Sequence, residues 1–63
     1  MNPAAARERD GIVMELNAVI RELETSAAQL SAEKGIGAEA CMHALYSMAD
    51  RYRRVRDRLR SIT

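Results

Sequence analysis

Six arginines, Arg51, Arg53, Arg54, Arg56, Arg58 and Arg60, fall within ten residues near the end of the chain, with Asp57 the only acid among them. Guanidinium forks match phosphate oxygens in pairs, so a cluster this dense is suited to phosphate. Arg53, Arg54, Arg56 and Arg60 are the candidate phosphate-binding residues, and a dimeric nucleic-acid-binding modulator is the alternative function they raise. Two observations favour a plainer role. On a helix, at about 100° per residue, the six spread around most of the circumference and form no single stripe. Tyr52 is the only aromatic residue among them and belongs to an apolar seam, which leaves no base-stacking platform. The arginines are therefore expected to solvate the last turns, favour the negative end of a helix and pair locally, Asp50 with Arg54 and Asp57 with Arg60. Contacts with Glu8, Asp10 and Glu15 across a hairpin are a further expectation.

Cys41 and His43 are the other pair with reactive side chains. Residues two apart on a helix point in different directions, so they do not make a nucleophile and base. Cys41 falls on the apolar seam and is expected to be a small buried thiol, with His43 on the surface. One Cys and one His also fall short of the four ligands of a structural zinc site. No cofactor or metal is expected, no triad can be assembled, and the chain is read as non-enzymatic.

These residues sit on elements set by apolar spacing. Cys41, Leu45, Met48, Tyr52, Val55, Leu59 and Ile62 alternate steps of four and three, which is a heptad seam. Ile12, Leu16, Val19, Leu23 and Leu30 repeat the pattern, with Ser26 filling the gap. Val13, Ile20 and Ala27, and Met42 and Ala49, lie one residue further round and broaden each stripe to about three apolar positions per seven, as in a bundle helix. Arg56 takes the third flanking position of the second helix.

The fold expected is all-α: an antiparallel two-helix hairpin over residues 1–63, with helix 1 at about 3–33, a turn at 34–37 and helix 2 at about 38–61, dimerising into a four-helix bundle. Asn2 and Pro3 suit a helix start and the Ala4–Ala6 run favours helix, whereas Gly11 is a weak point at which the preceding segment frays, kinks or forms a separate arm. In the turn, Gly35 is expected to end helix 1 in the left-handed conformation, with Lys34 favouring the helix end and Ile36 folding back over the last turn. Gly37 is expected to be the N-cap of helix 2.

Sixty-three residues cannot bury a large core, and with a single cysteine no intrachain disulfide reinforces it. Oligomerisation is the remaining reinforcement. Formal net charge is +1, but residues 1–33 carry three basic against six acidic groups, a net of −3, and residues 34–63 carry seven against three, a net of +4. The two halves complement each other when folded side by side. The start of the chain does not read as a signal peptide and no stretch approaches the ~20 apolar residues of a membrane span. A cytoplasmic protein that does not engage membranes is expected.

With Ala44-Leu45-Tyr46-Ser47-Met48-Ala49-Asp50 as its best local match, the hairpin resembles the Rop-type RNA-modulator proteins, which pair two antiparallel helical hairpins into a four-helix bundle. That family's RNA-contacting face lies on helix 1 and uses polar and aromatic residues. Here helix 1 is acidic and has no aromatic residue, so RNA binding does not carry over. The plan is also similar to that of the W-x-G secretion family, whose Trp-x-Gly turn is missing here, and of type III secretion co-chaperones. Small sporulation-phosphatase hairpins share it as well, without their Ser-Gln-x-x-x-Asp signature.

The expected function is thus protein–protein interaction through helix pairing, by a small regulator, adaptor or secretion co-chaperone whose partner is a second copy or a larger helical protein. The seams are expected to face each other within the hairpin. Val13, Met14, Ile20, Met42 and Ala49 are then the expected surface for a second partner.

Overall fold

The computed structural model describes residues 2–33 and 35–62. Two helices pack side by side: α1, Pro3–Ser31, and α2, Ile36–Arg60. The helical start is set by side-chain chemistry. Asn2 stays extended, its Oδ1 accepts from the Ala5 N–H at 2.9 Å, and Pro3 follows at a position whose N–H would be orphaned in any case. Gly11 lies inside α1 without interrupting it, so residues 3–10 continue the helix instead of forming an arm.

The turn differs from the sequence expectation. α1 stops at Ser31, and Ala32 keeps right-handed dihedrals while its N–H reaches back to Gln29 and Leu30. No described glycine has positive φ. Gly35 does not end α1 in the left-handed region; at φ −149° and ψ 153° it is the extended N-cap of α2. Gly37 accordingly lies inside α2. Ile36 is 97% exposed and does not cover the end of α1. The physical reason is economy: a short tightened last turn gives backbone partners to the Gln29 and Leu30 carbonyls, so no left-handed cap is required. The expectation for Lys34 lies outside the described residues.

Burial follows the heptad columns around each helix. Val13, Ile20, Ala27 and Ala49 are buried, and Met42 and Arg56 of the same column are half-buried. The next column, Leu16, Leu23 and Leu30 on α1 and Leu45, Tyr52 and Leu59 on α2, is half-buried throughout. The column beyond it, Ile12, Val19 and Ser26 with Cys41, Met48, Val55 and Ile62, is exposed throughout. The helices therefore meet through the flanking column and one edge of the seam.

Side-chain volume explains this choice of face. Register is set by Arg9 donating to the Ile62 carbonyl at 2.9 Å and Arg56 donating to Asn17 Oδ1 at 2.9 Å. In that register Ala49 lies within about a turn of Ile20, and Met42 within about a turn of Ala27. A large side chain is set against a small one at each level, which lets the backbones approach and the layers interdigitate. Ala27 and Ala49 are each 0% exposed, as the closest approach demands.

Candidate interaction surface

The half-buried and exposed columns of both helices lie on the same side of the hairpin. Ile12 and Leu16 of α1 line one shallow groove with Val55, Leu59 and Ile62 of α2, with Arg58 at its edge. The groove belongs to an apolar face that Val19, Leu23, Leu30, Leu45, Met48 and Tyr52 continue towards the turn. Ile12 is 42% exposed, Val19 37%, Met48 47%, Val55 43% and Ile62 57%, so the seam keeps about half of its outer column in water.

The residues expected to form a second partner surface are mostly not on this face. Val13, Ile20 and Ala49 are buried between α1 and α2 and present nothing to another molecule, and Met42 is half-buried in the same column. They are core because the small residues of that column allow the helices together. Met14 is outward, at 72% exposure, but it stands apart from the apolar face. Cys41 is exposed instead of buried, because its column faces away from the other helix.

The opposite side of the hairpin is polar and carries several ion pairs. Arg53 reaches across to Glu24 and lies within 4.0 Å of Asp50. Arg54 pairs with Asp50 at 3.2 Å, the expected local pair. Asp57 pairs with its neighbour Arg56 at 3.1 Å and not with Arg60. Of the expected cross-hairpin acids, Asp10 pairs with Arg9 at 3.3 Å, and the cross-hairpin acid met by the cluster is Glu24.

Three of the four candidate phosphate ligands already have partners within the hairpin. Arg53 and Arg56 are half-buried and spend their guanidinium groups on Glu24, Asn17 and Asp57, and Arg54 is turned to Asp50. Arg60 is exposed.

His43 and Glu39 approach to 3.8 Å, a one-turn surface pair on α2. Among the described residues no three His, Cys, Asp or Glu side chains gather into a possible metal site. No described helix is long and apolar enough to cross a membrane.

No protein-family model, curated protein or solved structure matches the chain.

Proposed function

We propose that this chain is a non-enzymatic helix-pairing module whose contact surface is the apolar face, and that a second copy covers it to complete a four-helix bundle. The observation that carries this reading is the exposure of a whole heptad column on both helices, on one side of the hairpin. An apolar stripe of this length is stable only against another surface.

The size of the hairpin supports a second copy as the occupant. Its accessible surface is 4899 Å². A compact monomer of 7.0 kDa exposes about 4,000 Å². The excess, roughly 900 Å², is close to the ~800 Å² that each partner contributes to a standard interface. The radius of gyration is 14.9 Å. A globule of this chain length has about 11 Å, and one of twice the length about 14 Å. A second hairpin laid along the first thickens the rod without lengthening it, and so brings the assembly to globular proportions.

Light scattering of the purified protein tests the reading. The expected mass is twice the 7.0 kDa of one chain, with a melting temperature that rises with protein concentration. Placing Glu at both Val19 and Val55 puts charges on the face and is expected to abolish association. A monodisperse wild-type chain of 7.0 kDa that melts cooperatively overturns the proposal. Nucleic acid co-purifying in a salt-sensitive complex shifts the function to the arginine-rich end.

A further inference from the structure

The charges along the two edges of the apolar face are sorted by sign. On α1 the column just outside the face holds Glu8, Glu15 and Glu22, spaced by seven. On α2 the equivalent column holds Arg51 and Arg58, also spaced by seven. All five are exposed. Among the described residues none of the five makes an ion pair, whereas Glu24, Asp50 and Asp57 on other sides of the hairpin all do. An acidic rim and a basic rim thus flank one apolar surface, as in a coiled coil whose edge charges set partner choice and orientation.

From this arrangement, and resting on the self-association proposed above, we infer that two copies pair with their turns at the same end, each α1 lying on the partner's α2. Two symmetric ways exist to lay the faces together. With the two-fold axis along the hairpin, α1 meets the partner's α2 at the same level. Ile12 and Leu16 share a groove with Val55 and Leu59, so Glu15, beside Leu16, is about level with Arg58, beside Leu59. One heptad towards the turn, Glu22 is level with Arg51. Glu15 then faces Arg58 of the partner subunit and Glu22 faces Arg51 of the partner subunit, twice over by symmetry.

With the axis across the hairpin, α1 meets α1 and the turns lie at opposite ends. Glu15 then faces Glu22 of the partner subunit, and the arginine columns of the two α2 helices face each other. Both edges are repulsive. Same-end pairing does bring the two basic open ends together, but Arg9, Arg53, Arg54 and Arg56 are already engaged within each hairpin. Charges beyond about 10 Å are screened at ordinary salt. The edge contacts therefore decide the orientation.

The single cysteine and one charge reversal test this on the full chain. Cys41 lies near the turn on the apolar face, so nitroxide labels attached to it come within about 15 Å across a same-end bundle and broaden the continuous-wave spectrum. At opposite ends the labels are about 35 Å apart, from the helical rise, and give a pulsed dipolar distance in place of broadening. Glu15→Arg is expected to raise the dissociation constant about tenfold by setting like charges together at both edges, and adding Arg58→Glu is expected to restore it. In the opposite-end dimer Glu15→Arg faces Glu22 and tightens binding. A 35 Å distance with tighter binding overturns the orientation while leaving self-association standing. A wild-type monomer at every concentration overturns both.

Discussion

Ala49→Leu separates the packing seen here from the alternative in which the seams face each other. In the alternative, Ala49 flanks the hairpin interface and a larger apolar residue is tolerated. In the structure Ala49 is 0% exposed and within about a turn of Ile20, itself 4% exposed. Three added carbons have no void to enter, so α1 and α2 must separate or Ile20 must leave its rotamer. Overpacking of this kind costs about 1–3 kcal/mol. For a domain of this size each kcal/mol moves the midpoint by about 4–8 °C, which gives a fall of about 4–24 °C. Thermal unfolding followed by circular dichroism at 222 nm reads the change at fixed protein concentration. Met48→Leu, one residue away at 47% exposure, serves as the control and is expected to shift the midpoint by only a few degrees. An Ala49→Leu midpoint equal to or above wild type refutes the assignment of this column to the core.

Two predictions concern α1. A Cβ built at Gly11 meets nothing within 4 Å, and the helix runs through it, so Gly11→Ala is expected to stabilise each chain by about 1 kcal/mol, read as a higher midpoint in the same melt. Asn2→Ala removes the side-chain acceptor of the Ala5 N–H and is expected to cost about 1 kcal/mol, with faster amide exchange confined to the first turn.

The hairpin was legible in the sequence because its signals are local. Asn2-Pro3 marks a start, the interval between Leu30 and Cys41 marks a break with glycines, and apolar periodicity marks both arms. The helices end at Ser31 and begin again at Ile36, two residues earlier in each case than the spacing suggests. That difference comes from a helix end tightened by backbone bonds to Gln29 and Leu30, which residue type alone does not reveal. The direction each helix faces was not legible. Val13, Ile20 and Ala27 are as apolar as the neighbouring column of Ile12 and Val19, so periodicity ranks the two equally. What distinguishes them is that Ala27 and Ala49 are small, fully buried, and lie within about a turn of Met42 and Ile20 across the hairpin. Volume complementarity between residues far apart in sequence sets the azimuth, and the exposed face follows from it.

The clasp between Arg9 and the Ile62 carbonyl joins residues 53 apart, whereas Leu30 and Met42 near the turn are separated by only 12. Between them the separation grows steadily with distance from the turn, and with it the entropy of closing the loop. Contacts beside the turn are the cheapest to form first, and those of the open end come after most of the chain is ordered. The arginine-rich end is thereby the last part of the hairpin to zip and the first to open. Perturbations there act on how quickly the native hairpin comes apart and leave the rate at which it assembles nearly unchanged.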